Sequence, residues 1–328
     1  MLVVNLAETL GLPPLTGDLV RVESALHDAV TNNDRFLGDV AAHLIDAGGK
    51  RLRPTLTLCA AYAATGVNGG SSADAVTGAV AVELVHLGSL YHDDVIDEAE
   101  TRRGVPSVNA RWSNIVAILA GDYLLARASA LAASLGADVA ALLAATIGEL
   151  CRGQVLELQH LFDVDRSEET YASAIEGKTA SLFATSCRIG GMVSGVAEPT
   201  LDALSRFGFH LGMCFQIVDD VLDVTASETE LGKPAGQDIV EGIYPLPVIY
   251  GIASSPDLRE LLGRPLDAAQ RDRVRELATA NGAVDAALDV ARDHAAKADE
   301  ALAGAADLDA GVADGLRRLV AGLVTRDR

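Results

Sequence analysis

Apolar residues recur at threes and fours through most of this 328-residue chain. Val76, Val80, Leu84, Leu87 and Leu90 mark one such segment; Val116, Leu119, Tyr123, Leu124 and Ala128 mark the next. That period is helical, and strand-like alternation of useful length is absent. Ser72, Ser113 and Ser167 stand where N-caps are expected, with Glu168 and Glu169 in a first turn after Ser167. Breaks fall near Gly17, Gly48-Gly49, Asn68-Gly69-Gly70, Gly104 to Pro106, Gly136, Gly195 and Ser227 to Pro247. They divide the chain into roughly ten to twelve helices of ordinary length. Hydrophobic residues make up 49% of the chain, enough for a large core. No stretch is linker-like for long, and no fixed-period repeat is present. The expected architecture is one large all-α bundle spanning 1–328. Two polar, glycine-bearing loops stand out, Glu98 to Pro106 and Ser227 to Pro247.

The net charge of −20 disfavours a nucleic-acid binder or an anionic-membrane binder, since both need a basic face. It leaves room for an anionic substrate held by a few local cations. Cys59, Cys151, Cys187 and Cys214 form no CxxC pair and no zinc spacing, so they read as four small buried thiols. The N-terminus has no basic region or cleavage site of a secretion signal. The longest uncharged apolar candidates, such as the run from Phe207 to Val218, are too short to span a bilayer. The expectation is a cytoplasmic chain without a transmembrane segment.

Two pentads nearly repeat: Asp93-Asp94-Val95-Ile96-Asp97 and Asp219-Asp220-Val221-Leu222-Asp223. On a helix, Asp93 and Asp97 share a face with Asp94 beside them, and Asp219, Asp220 and Asp223 repeat the pattern. No cation lies inside either pentad, and the flanks are apolar. Clustered carboxylates on a mostly buried helix are costly unless a cation compensates them. Oxygen-only donors suit Mg²⁺, which keeps waters and bridges carboxylates to substrate phosphates. A solvated helix end would explain one such pentad; two with apolar flanks favour metal. Cations also gather along the chain. Gly48-Gly49-Lys50-Arg51-Leu52-Arg53-Pro54 concentrates three, behind glycines that let backbone approach an anion. Arg102-Arg103-Gly104 follows the first pentad, Lys178-Thr179 precedes an apolar run, and Lys233 follows the second pentad by ten residues. Carboxylate–Mg²⁺–diphosphate sites need Arg and Lys clamps of this kind.

Taken in order, Gly49-Lys50-x-x-Arg53, His86, Asp93-Asp94-x-x-Asp97 with Arg102-Arg103-Gly104, Lys178-Thr179, Phe215-Gln216-x-x-Asp219-Asp220-x-x-Asp223 and Gly232-Lys233 resemble the trans-isoprenyl diphosphate synthases, the polyprenyl synthetase family. The match runs from about Asp46 to Pro247. The resemblance implies antiparallel helices around a deep central cavity, usually in a homodimer. It implies head-to-tail condensation of an allylic diphosphate with isopentenyl diphosphate to a trans polyprenyl diphosphate. Asp93, Asp97 and Asp219 would be foremost as metal ligands, with Asp94, Asp220 and Asp223 as ligands or their support. Three Mg²⁺ ions per loaded site are implied. Arg102, Lys178 and Lys233 resemble the clamp on the allylic diphosphate, with Thr179 and Gln216 lining the cation. Lys50, Arg53, His86 and Arg103 resemble the isopentenyl diphosphate site. The released pyrophosphate serves as proton acceptor, so no protein base is required.

The family often has Gly-Lys-x-Thr-Leu-Pro where this chain reads Gly242-Ile243-Tyr244-Pro245-Leu246-Pro247. The second loop lysine is missing, which shifts the grip toward Lys233. A terpene cyclase needs no second diphosphate site, and Gly48 to Arg53 argues against one. A non-catalytic partner subunit would be expected to lose the aspartates or the Arg pair. In the family the growing tail runs down beside the first acidic helix; the small Gly88 and Ser89, one turn before Asp93, would leave that channel open, so the resemblance implies a product longer than geranylgeranyl, suited to a menaquinone-type side chain and to hand-over to membrane enzymes. A short-chain synthase is the alternative, with Tyr123 as a deeper floor. Tyr91 points to another face, and Gly88→Phe is expected to shorten the product.

Overall fold

A computed structural model describes residues 2–66, 68, 70–227, 235–280, 282–305 and 307–325, with side chains from residue 6 onward. The described residues are all-α apart from one two-residue hairpin, Thr101–Arg102 against Val105–Pro106. The helices are α1 Leu2–Leu10, α2 Pro14–Val30, α3 Arg35–Asp46, α4 Leu52–Thr65, α5 Ala73–Ile96, α6 Val108–Arg111, α7 Asn114–Ser134, α8 Ala137–Gln159 and α9 Glu168–Ile175. A five-residue π-helical turn, Glu176–Ala180, precedes α10 Ser181–Val193 and α11 Glu198–Thr225. Then come α12 Gln237–Glu241, α13 Leu246–Ser254, α14 Pro256–Leu261, α15 Ala268–Ala278, α16 Ala283–Ala303 and α17 Ala310–Val324. These seventeen α-helices exceed the expected ten to twelve because several loops carry helices of four to nine residues.

The three expected caps form. Ser72, Ser113 and Ser167 each accept a hydrogen bond from the backbone N–H three residues on, satisfying a donor that helix geometry orphans. Gly17 is no break; it lies inside α2, where a favourable apolar face outweighs its weak propensity.

Clustering of the backbone gives two compact units, neither continuous in sequence: residues 1–147, 183–208 and 302–319, and residues 148–182, 209–301 and 320–328. In the first, α5 packs chiefly on α7 and also on α4 and α2. The α5–α7 approach is close because Gly88 meets Gly121: a Cβ on Gly88 would lie 3.1 Å from the Gly121 carbonyl oxygen. In the second, Val224, Ile239, Tyr244, Val248, Leu258, Val274 and Ala278 form a fully buried cluster. It takes in the segment that departs from the family pattern. Tyr244 is buried, and its hydroxyl accepts a hydrogen bond from the Gly263 N–H at 2.8 Å.

Two sequence expectations need correction. Cys151 is exposed, unlike Cys59, Cys187 and Cys214. Burial pushes the Cys59 thiol up to about 12 and Cys214 to about 11. Three helices, α5, α7 and α8, are long and apolar enough to cross a membrane by length and composition, with 67%, 33% and 22% of their most apolar windows buried. Counting only uncharged runs missed them, because isolated charges such as Asp122 and Glu149 interrupt otherwise apolar stretches.

Candidate active site

In the first unit the chemistry lies along one side of α5. His86, Ser89, Leu90, Asp93 and Asp97 are half-buried, whereas Val85, Leu87, Gly88, Tyr91 and Asp94 are buried. Offsets of three, four, seven and eleven from His86 keep the first group on one stripe. Asp93 and Asp97 therefore share this stripe with His86, and Asp94 does not. The Asp94 carboxylate is 0% exposed, with Oδ1 accepting from Arg102 Nε at 2.7 Å and pairing with Arg102 Nη2 at 2.6 Å. Burial raises its pKa against the pull of Arg102. Its Oδ2 is buried without a hydrogen-bond partner. Asn109 Nδ2 donates to the Asp94 and Ala99 carbonyls, and Ser107 Oγ donates to Ala99 O at 2.5 Å. The loop that follows the pentad is thus tied back to the pentad's own backbone.

The expected isopentenyl diphosphate residues gather in the same unit. Lys50 is exposed, and Arg53 lies half-buried with its guanidinium 5.0 Å from the Phe183 ring centroid. Arg53 Nε has no hydrogen-bond partner although it is buried, as a donor awaiting an anion would be. Burial lowers the Arg53 pKa to about 10, with buried Glu83 opposing the shift, so the group stays charged at neutral pH. His86 is held well below its ordinary pKa, first by burial and then by Arg53 and Arg103, so its imidazole is neutral. Arg103 donates to the Leu44 carbonyl at 3.0 Å and to the Gly48 carbonyl. Its guanidinium lies flat against Gly49, whose φ of +152° and missing Cβ leave the room.

In the second unit Lys178 sits in the π-helical turn and donates to Glu157 Oε1 at 2.5 Å. The turn is pressed on α8, since a Cβ on Gly153 would stand 2.4 Å from the Lys178 backbone nitrogen. Such bulges often mark functional sites, because one extra residue re-aims the side chains beside it. Thr179 Oγ1 donates to Gln216 Oε1 at 2.7 Å, and Gln216 Nε2 donates to Asp220 Oδ1 at 2.7 Å. Tyr171 donates to Asp220 Oδ2 at 2.6 Å. Both Asp220 oxygens are thus engaged within the protein, and burial lifts its pKa above the carboxylate range. Asp223 is 5% exposed, whereas Asp219 is exposed. Lys233 lies outside the described residues.

Among the described residues, no three His, Cys, Asp or Glu side chains converge closely enough to hold an ion alone. The donor set nevertheless fits Mg²⁺, which takes one or two carboxylates and completes its shell with water and substrate phosphate. Asp93 and Asp97 offer only oxygens, and the unpartnered Oδ2 of Asp94 is a buried acceptor beside them.

The polyprenyl synthetase family profile matches residues 34–280. The chain belongs to the polyprenyl synthetase family. It is a transferase of the trans-polyprenyl diphosphate synthase class. It is 40% identical over 307 residues to nonaprenyl diphosphate synthase of Mycobacterium tuberculosis, covering 92% of this chain and 90% of that one. It is 44% identical over 241 residues to heptaprenyl diphosphate synthase component 2 of Geobacillus stearothermophilus, covering 73% and 74%. A crystal structure of polyprenyl synthase from Caulobacter crescentus, complexed with calcium and isoprenyl diphosphate, superposes with a TM-score of 0.89 at 35% identity, over 100% of this chain and 98% of that one.

Within this polyprenyl synthetase the structure changes one expectation, at Gly88. Gly88 does not border an open channel; it is the contact by which α5 meets the α7 backbone, and Leu125 Cγ would lie 3.2 Å from its Cβ. Ser89 is the small residue on the half-buried stripe. Tyr91 does turn away, as expected, donating to Val40 O at 2.8 Å. Glu157, Tyr171 and Asn109 carried no motif signal, because their partners lie 10 to 49 positions away and meet them only in the folded chain.

Proposed function

We propose that this polyprenyl synthetase makes an all-trans chain longer than geranylgeranyl by head-to-tail condensation of an allylic diphosphate with isopentenyl diphosphate. The observation that carries the reading is the half-buried stripe on α5 that His86 shares with Asp93 and Asp97. Lys50, Arg53, His86 and Arg103 hold isopentenyl diphosphate. Arg102, Lys178 and Lys233 grip the allylic diphosphate, with Thr179 and Gln216 beside the developing cation. Asp93, Asp97 and Asp219 are the direct ligands for Mg²⁺, three ions in the loaded site, with Asp94, Asp220 and Asp223 in support. When bound, the metal neutralises the charge that builds on the leaving diphosphate. The isopentenyl double bond attacks the allylic carbon, and the released pyrophosphate takes the proton. Both units act as one catalytic domain.

Ile115, Ile118 and Leu119 share one face of α7 and are 71%, 44% and 59% exposed, which supports a homodimer covering that face. Sedimentation at twice the 34.0 kDa chain mass tests it. A cytoplasmic site with product passed to membrane enzymes completes the reading; fractionation of the native host checks it. The similarity to a component 2 favours a second reading, in which a partner subunit is needed for full activity. The purified chain, Mg²⁺, farnesyl diphosphate and labelled isopentenyl diphosphate decide between them, with chromatography of the dephosphorylated products. Long chains from the chain alone support the main reading; no turnover without a partner supports the second; a stop at geranylgeranyl refutes the length assignment.

Two variants sharpen this. Ser89→Phe is expected to shorten the product by several isoprene units, because the ring enters from the half-buried stripe. Gly88→Phe should instead destabilise the fold through the α7 contact; a well-folded Gly88→Phe enzyme making short product would reverse this assignment. Lys50→Ala and Arg53→Ala are each expected to raise KM for isopentenyl diphosphate about 10-fold or more with little change in kcat, since they bind the group that does not ionise. Equal effects on both substrates would show the two sites to be misplaced.

A further inference from the structure

Arg51 stands between Lys50 and Arg53, and by sequence it is as good a diphosphate ligand as either. The structure assigns it differently. Its side chain is 1% exposed, and all five guanidinium hydrogens are already used. Nε and Nη2 form a fork on Glu23, at 2.5 and 3.0 Å. Nη1 donates to Glu83 Oε1 at 3.0 Å and Gly48 O at 3.4 Å, and Nη2 also donates to Ile45 O at 3.1 Å. No donor is left for a phosphate. Arg53 keeps a buried Nε without a partner, and Lys50 is exposed.

The backbone shows what this arrangement does. Arg51 is the residue before α4 and adopts φ +49°, ψ +40°, a left-handed conformation that a non-glycine residue rarely takes and that its surroundings hold here. Gly48 and Gly49, at φ +82° and +152°, complete the turn. The fork reaches from this turn to Glu23 on α2, Glu83 on α5 and the last turn of α3, so three helices fix one strained residue at the start of α4.

We propose that Arg51 is a positioning residue for the isopentenyl diphosphate site, and that Glu23 and Glu83 act through it to present Lys50 and Arg53. Arg51 itself touches no substrate. A lysine in its place keeps the charge but loses the planar fork, so it does not restore the turn. This rests on the reading of Lys50 and Arg53 given above.

Steady-state kinetics test it with Arg51→Lys, Glu23→Gln, Lys50→Ala and the double variant Glu23→Gln/Arg51→Lys. Glu23 is half-exposed, so its variant keeps the test open even where Glu83→Gln fails to fold. Arg51→Lys and Glu23→Gln are expected to raise KM for isopentenyl diphosphate about 5- to 20-fold, with kcat and the allylic KM within about twofold of wild type. The double variant should be no worse than Arg51→Lys alone, because Glu23 works through the fork already lost. Raised KM in Lys50→Ala beside unchanged KM in Arg51→Lys and Glu23→Gln overturns this proposal alone. So does an equal shift for both substrates, or a lowered Tm without a KM change. An unchanged KM in Lys50→Ala overturns the site reading and this proposal with it.

Discussion

Asp93→Ala and Asp219→Ala should each reduce turnover by about 10³-fold or more, while the thermal midpoint stays close to wild type. Both carboxylates belong to clusters of like charge, Asp93 on a half-buried stripe and Asp219 exposed, so removing either relieves repulsion and opens no core cavity. On the proposed reading, what is lost is an oxygen ligand to the ion that takes up the leaving charge, a contribution of several kcal/mol to the transition state. Asp94→Ala should behave in the opposite sense. Its side chain is fully buried against Arg102, so truncation strands a guanidinium and costs about 2 kcal/mol or more of stability. Paired assays of turnover and thermal unfolding separate the two classes. Near wild-type turnover in Asp93→Ala would sink the metal assignment, and an unchanged midpoint in Asp94→Ala would sink the structural one.

Gly153→Ala is expected to lower stability by about 3 kcal/mol and to weaken the allylic diphosphate grip together. The added methyl would lie 2.4 Å from the Lys178 nitrogen, 2.7 Å from the Ala174 carbonyl oxygen and 2.9 Å from the Gly177 carbonyl carbon, all of them backbone. Backbone cannot rotate aside, so the π-helical turn must move, and Lys178 with Thr179 moves with it. Gly148→Ala on the same helix is the control, because nothing lies within 4 Å of its Cβ. A Gly153→Ala protein with wild-type midpoint and wild-type allylic KM would show that α8 does not press on that turn.

The legible part of the candidate site was whatever one helix could display. His86, Asp93 and Asp97 were placed on one side of a helix by spacing alone, and all three are half-buried along α5. The same arithmetic went wrong at Gly88. Five residues before Asp93, it lies off the stripe, and its smallness serves a neighbouring helix rather than a substrate tail. Spacing gives the angle of a residue about its helix axis but not what stands opposite.

Sequence by itself determined the helical class, the caps at Ser72, Ser113 and Ser167, the two acidic pentads and the family. These depend on neighbours within about one turn or on motif order, and both are written locally in the chain. Tertiary structure alone decided that Arg51 is saturated while Arg53 keeps an unpartnered donor, and that Asp94 is paired with Arg102. It also decided that Asp220 is held at both oxygens by Gln216 and Tyr171, and that Lys178 rides on a π-helical turn pressed against Gly153. Each of these depends on which charged or polar group is brought within about 3 Å, the range over which a hydrogen bond forms. The carboxylate partners of Arg51 lie 28 and 32 positions away, and Tyr171 lies 49 from Asp220, so no local pattern could carry them.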